Sequence, residues 1–336
     1  MRILSVVRKH YYGHKTAIEP LFIFMTEPLV EMGHNVETFD HVATAALVGR
    51  RQCTDRLVDR IKRGSFDVVL FQSVDSSAVD TEQLRDVSKR HCVIAWNSDD
   101  DWQWQTYTSK IAHHFTYVVT TYRHILEGNR TAFPNLLLSQ WACHPKLGDF
   151  ARPKDIDFSF AGGIYRTRND ECRMLRRTAG LRAFGRGARL VRLGLPYFKG
   201  AFKLPWLSGH PVENGVYDVW NRSRISYTPL GGGPDSSYKQ VKGRVFEMGA
   251  SGTLMLCEHS ADVNRYYEPG VEFVPFSDLA DCADKARYYL RHESERLSIV
   301  HRYYRRTLAE HQWQHRFRDI FKQAGIQTAN LTSVSA

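Results

Sequence analysis

Apolar runs of four to six residues recur along the first 140 positions, and stretches with helical spacing separate most of them. RILSVV (2–7), NVETF (35–39), DVVLFQ (67–72), CVIAW (92–96), YVVTT (117–121) and LLLSQ (136–140) have the length of strands, most of them apolar enough to be buried on both faces. Residues 16–33, ending at Gly33, carry helical spacing, as does the basic stretch 53–63 closed by Gly64. TEQLRDVSKR (81–90), opened by Thr81, and residues 106–115 and 122–128 complete the helical set. Strands alternating with helices predict right-handed crossovers and a parallel sheet covered on both faces. The first half reads as a Rossmann-like domain.

CHPKLGDFARPKD (143–155) is polar, holds two prolines and interrupts the pattern, which places a boundary there. The alternation then restarts. DFSFAGG (157–163) is a strand running into a glycine pair, 168–180 a helix, RLVRLG (189–194) a strand, and 195–213 an aromatic, proline-containing loop. Helix 214–222, strand RISYT (224–228), helix 239–250, strand TLMLCE (253–258), strand EFVPF (272–276), helix 278–291 and one long helix over 294–323 follow. The fold class is therefore α/β, with two tandem Rossmann-like doubly wound domains facing a central cleft. Domain one spans 1–148 and domain two 149–325, with 326–336 a disordered tail. Open α/β sheets bind ligands beyond the carboxyl ends of their strands, so the functional loops lie there.

Composition narrows the class. The chain has 336 residues, 43% hydrophobic and 24% charged, as a folded soluble protein does. No apolar run reaches the ~18 residues of a membrane span, and MRILSVVRKHYYG lacks the longer apolar core of an export signal, so the expected compartment is the cytoplasm. Six scattered cysteines without a CxxC pair are then expected to be reduced. A net charge of +10 favours anionic partners, with the positive residues dispersed apart from concentrations at Arg173–Arg192 and Arg302–Arg306. Peripheral contact with a membrane surface fits that charge.

Several chemistries lack their motifs. RKHYYGH follows the first strand without a GxGxxG, and GxxxxGK[ST] and HExxH are missing, which disfavours NAD or FAD, P-loop phosphoryl transfer and zincin chemistry. His10 with His14 and His311 with His315 stand at i, i+4 but have no third ligand nearby, so no metal is assigned. The most restrictive stretch is Lys242–Glu258, KGRVFEMGASGTLMLCE, downstream of the Gly-rich loop 231–234. A helix start after such a loop offers unpaired N–H groups to phosphate, and an acid further along can take two sugar hydroxyls. That combination reads as a nucleotide clamp.

These residues also carry a resemblance. VKGRVFEMGASGTLMLCE, continuing through DVNRYYEPGVEFVPFSDLADCADKARYYLRHESER, resembles the C-terminal domain of the CgeB-like glycosyltransferases, as do the terminal His315 and Arg316. WNSDDDW (96–102), YVVTTY (117–122), QWACHP (140–145) and DFSFAGGIYRTR (157–168) are similar to the same group. The resemblance implies a GT-B fold and transfer of a sugar from a nucleotide-diphosphate sugar, a UDP-sugar by preference, to an acceptor hydroxyl. It implies no tightly bound cofactor. The acceptor would be anionic, an envelope glycan or, second, a hydroxymethylated DNA base. A non-catalytic sugar-nucleotide or nucleic-acid binding protein of the same fold is the alternative.

The resemblance and the residues' own chemistry and position together assign residues as follows. Family 4 glycosyltransferases carry two glutamates separated by seven residues; Glu247 is similar to the second, which holds the ribose, and the family implies retention of anomeric configuration. The first falls at Lys239, whose compact charge could face the diphosphate. Arg166 and Arg168, after Gly162 and Gly163, suit a leaving diphosphate. Ser236, Ser237 and Tyr238 would offer backbone N–H groups to phosphate at the start of the 239–250 helix, with Lys242 and Arg244 completing the donor set. Asp99 or Asp100, at the carboxyl end of a strand, is expected to bind the acceptor hydroxyl or act as general base. With Asp101 the pair could also form a DxD metal site, which a GT-B plan does not need. His14 and Trp102 are candidate acceptor contacts.

Overall fold

The computed structural model describes residues 1–10, 18–73, 76–198, 200, 215–232 and 238–327. The chain divides into two units, Met1–Gln140 with Trp313–Ala336, and Trp141–Gln312. In the first, β1 (Arg2–Val6), β2 (Asn35–Phe39), β3 (Val68–Gln72), β4 (Val93–Asn97), β5 (Tyr117–Thr120) and β6 (Leu136–Leu138) form one sheet in the order β2-β1-β3-β4-β5-β6. Every pairing is parallel. All five residues of β3 and of β4 are buried, which is why both read as unbroken apolar runs. Leu57, Ile61, Phe71, Val93, Phe115 and Val118 belong to one core.

The second unit holds β7 (Ile156–Ala161), β8 (Arg182–Phe184), β9 (Ser223–Thr228), a hairpin of β10 (Gly231–Gly232) and β11 (Tyr238–Lys239), β12 (Leu254–Glu258) and β13 (Val274–Phe276). Its main sheet runs β13-β12-β9-β7-β8, again parallel. Phe158, Phe160, Leu175, Ile225, Leu256 and Ile299 lie in its core. Both sheets begin with the flavodoxin-like order 2-1-3-4-5, whose strand order reverses between β1 and β3 and between β7 and β9. The six cysteines are all free thiols.

Four sequence expectations change. Residues 16–33 are not one helix: Pro20–Phe24 and Glu27–Glu31 are separate, each opened by a proline at its start. RLVRLG is not a strand; the edge strand is Arg182–Phe184, and Ala188–Leu193 is a helix bracketed by Gly187 and Gly194, both left-handed. The 294–323 helix is two, Glu293–Glu310 and Trp313–Gln323, broken at His311–Gln312. The second of these returns to the first unit, where Trp313 packs on Phe24 and Trp96 at 5.3 and 5.4 Å between ring centres. There Gln323 Nε2 also donates to the Leu138 carbonyl at 2.9 Å. The domain boundary at 148 accordingly moves to Gln140–Trp141, and 313–325 leaves the second domain. The 239–250 helix is the fourth change and concerns the site.

Candidate functional site

At the switch point of the second unit, β7 ends in Gly162–Gly163 and β9 leads through Pro229–Leu230 into Gly231. Arg168, in the first turn of helix Thr167–Ala179, ties the two loops together. Its Nη1 donates to the Gly163 carbonyl at 3.1 Å and its Nη2 to the Gly231 carbonyl at 2.8 Å. Lys242 Nζ donates to the same Gly231 carbonyl. Arg168 is 7% exposed. Gly162, with φ +144°, lies where a Cβ would stand 2.9 Å from Arg244 Nη2, so a glycine there leaves room for a second guanidinium. Arg244 and Arg168 flank the Phe160 ring at 4.8 and 5.8 Å.

The clamp helix is shorter than its sequence suggests. Tyr238–Lys239 is a strand paired antiparallel with Gly231–Gly232; the helix starts at Arg244, runs only to Glu247 and tightens into a 3-10 turn over Met248–Ser251. The expected 239–250 helix therefore does not begin at Lys239, and no described residue between 238 and 243 lies in a helix. Tyr303 Oη donates to the Val245 carbonyl at 2.5 Å and anchors this short helix to Glu293–Glu310.

Glu247 is 8% exposed, and its carboxylate makes no hydrogen bond to a described residue. It folds back so that a Cβ on Gly243 would stand 3.2 Å from Oε1. Burial pushes its pKa up to about 8, with Arg244, three residues earlier, pulling the other way. Arg244 is pushed down to about 10 by burial, then by Arg168. Arg244 Nη1 is buried and unpartnered. A buried donor and a buried acid three residues apart, neither of them hydrogen-bonded, carry a cost that a ligand with phosphate and hydroxyl groups would remove.

Glu247 makes stability pH-dependent. Its pKa is raised from an unfolded value near 4.5 to about 8, so its contribution is present below pH 4.5 and lost as pH rises through 8. Relative to Glu247→Gln, the native chain should lose melting temperature progressively across that window. Parallel curves for the two proteins would rule out the assignment.

Three partners were not singled out from sequence. Glu258, at the end of β12, accepts from Leu230 N at 2.9 Å and pairs with Lys239 at 3.4 Å. Lys239 Nζ also donates to the His259 carbonyl at 3.0 Å, so its ammonium is held by the end of β12 rather than aimed at a diphosphate. Tyr227 Oη donates to Glu171 at 2.9 Å, and burial raises the Glu171 pKa. The available signals were positional: Tyr227 and Glu258 end strands, and Glu171 lies one turn after Arg168.

Of the remaining expected residues, Arg166 is exposed at φ 51° ahead of its helix. Ser236, Ser237 and His14 lie outside the described residues, and Tyr238 is described only in its backbone. In the first unit Asp100 is wholly buried, accepts from Thr108 Oγ1 at 2.7 Å, and has its pKa pushed up to about 6 by burial. It anchors the helical run that follows β4 and does not meet solvent. Asp99 beside it is half-buried, and Trp102 is exposed.

The family model described as glycosyl transferase-like matches residues 172–322. No curated protein is significantly similar in sequence. Among solved structures, a glycosyltransferase from Rickettsia africae is similar at TM-score 0.63 and 11% identity, covering 97% of this chain and 99% of that one. Anabaena Alr3699/HepE, solved with UDP and glucose, follows at 0.60 and 11%, with 97% and 99% covered. An alpha-glucosyltransferase in complex with UDP-glucose and DNA containing an abasic site gives 0.59 and 10%, over 97% and 99%. At these identities the likeness is one of fold, and that fold is GT-B.

Proposed function

We propose that this chain is a glycosyltransferase that takes its sugar from a nucleoside-diphosphate donor held at the β7/β9 switch point. What carries the reading is the set Arg168, Lys242, Arg244 and Glu247, with the Arg244 Nη1 and the Glu247 carboxylate both unspent. Three cations suit a diphosphate, and a recessed acid suits vicinal hydroxyls of a ribose. Uracil is our choice of base because HepE and the alpha-glucosyltransferase were solved with UDP or UDP-glucose.

In the reaction the acceptor oxygen bonds to the anomeric carbon while the bond from that carbon to the diphosphate oxygen breaks. The electron pair leaves with the nucleoside diphosphate, whose growing charge Arg168, Lys242 and Arg244 stabilise. The acceptor proton passes to a base, for which we assign Asp99, since Asp100 is enclosed. Transfer with retention follows from the family 4 resemblance. An envelope glycan is our preferred acceptor over a DNA base.

Because a ligand that binds only the folded state stabilises it by mass action, UDP at ~100 times its Kd should add about 2.7 kcal/mol to the second unit. The effect is read as a rise in melting temperature that Glu247→Ala suppresses. A panel of nucleoside diphosphates and their sugars that leaves the melting temperature unmoved would sink the donor site. UDP binding without donor hydrolysis or transfer would favour the non-catalytic alternative.

A further inference from the structure

From Cys172 to Val212 the chain has no aspartate or glutamate and nine lysines and arginines. Of 46 basic and 36 acidic residues, the rest of the chain holds 37 and 36, so this one stretch accounts for +9 of the net +10. The basic residues are dispersed, but the net positive charge is concentrated here.

The fold gathers its described part at one edge. Helix Thr167–Ala179, the edge strand β8 and helix Ala188–Leu193 lie together at the β8 end of the second sheet. Leu190 and Val191 turn inward and are buried, while Arg192 and Leu193 are exposed and Arg189 is half-buried. The helix then stops at Gly194, and Leu195 N closes onto the Leu190 carbonyl at 2.9 Å. Leu193, Leu195 and Phe198 are 58%, 38% and 42% exposed. Three large apolar side chains within six residues, in a stretch of sequence that holds arginines and no acid, form a patch a monomer in water gains nothing by showing.

We propose that the edge formed by Arg186, Arg189, Arg192, Leu193, Leu195 and Phe198 docks on an anionic lipid surface. The chemistry separates this partner from a polynucleotide. Phosphates on a nucleic acid reward the arginines and leave the leucines in water, whereas an anionic bilayer takes arginine at its headgroups and leucine and phenylalanine at the acyl boundary. Each arginine near such a surface contributes roughly fivefold in affinity. Burying one leucine or phenylalanine contributes roughly tenfold or more. None of these residues belongs to the donor site, so the inference stands apart from the transferase reading.

The test floats the full chain with vesicles of phosphatidylcholine alone or with about one-third phosphatidylglycerol, at ~0.1 M and ~1 M salt. Binding is expected only to the anionic vesicles and mainly at the lower salt. Arg189→Gln with Arg192→Gln should weaken it about 25-fold, the product of two fivefold effects, and Leu193→Ser with Phe198→Ser by at least tenfold. Melting temperatures and nucleotide-induced shifts of both variants confirm that folding is intact. Absence of vesicle binding, equal binding to neutral vesicles, or unchanged binding by the folded variants would overturn the proposal. Duplex DNA binding lost in the arginine variant but kept in the Leu193/Phe198 variant would overturn it in favour of a polynucleotide.

Discussion

Arg168→Ala is expected to lower sugar transfer by a factor of about 10²–10³, most of it in kcat. Two losses combine. On the proposed donor site, the first is a cation beside the leaving diphosphate, whose stabilisation grows as the bond breaks and therefore appears in kcat more than in donor affinity. The second is the clamp between the Gly163 and Gly231 carbonyls, which fixes the loops after β7 and β9 relative to each other. Arg168→Lys tests the division. A lysine keeps the charge but, with its single nitrogen, cannot reproduce the forked guanidinium that reaches both carbonyls. It should recover part of kcat while leaving KM for the donor raised. If Arg168→Ala folds, binds UDP and turns over at the native rate, Arg168 has no part in leaving-group stabilisation.

The central strands were legible because parallel strands buried on both faces must be apolar throughout, and β3, buried at every position, lies within its expected span. Where the reading failed, apolarity alone was ambiguous. RLVRLG has the composition of a strand, but the glycines at 187 and 194 bracket one and a half turns whose Leu190 and Val191 meet the core. HVATAALV (41–48), outside every element expected above, is a helix capped by Asp40, whose carboxylate accepts from Ala43 N at 2.9 Å.

Of the candidate site residues, Glu247, Arg168, Lys242 and Arg244 stand out in the sequence because each sits near a glycine or a strand end. Lys239 was misread because a seven-residue spacing implies one helix only if the backbone stays helical. Here the helix starts only at Arg244, five residues later. The Lys239–Glu258 pair joins residues 19 apart, which no local pattern reveals. Asp100 is the same case: its neighbours in sequence are acids, and only the fold encloses it.

The second large effect concerns the small-residue run GASG after Glu247. Gly249→Ala should destabilise the second unit by about 3 kcal/mol, the upper end of what overpacking costs. A Cβ at 249 would stand 2.0 Å from Thr307 Oγ1 and 2.7 Å from Thr307 Cβ. Thr307 has little freedom to yield. It is fully buried on helix Glu293–Glu310, and its hydroxyl is bonded at 2.9 Å to Tyr267 Oη, itself buried. Rotating Thr307 away would strand that phenol, adding the cost of an unpaired buried hydroxyl.

Neighbouring contacts close the other exits. A Cβ on Gly148 would stand 2.3 Å from the Ala250 carbonyl, and one on Gly252 2.9 Å from the Phe150 ring, so the run cannot shift as a block. For a unit of this size the loss corresponds to a fall of about 6–12 °C in its melting temperature. Calorimetry should resolve it from the first unit, which has its own core. Thr307→Ala removes two of the three clashing atoms, so the double variant should lose less than the sum of the single losses. Strict additivity would mean that Gly249 is small for some reason other than the approach of Thr307. The helix bearing Glu247 leads directly into this run, so the contact that sets stability lies two residues from the acid.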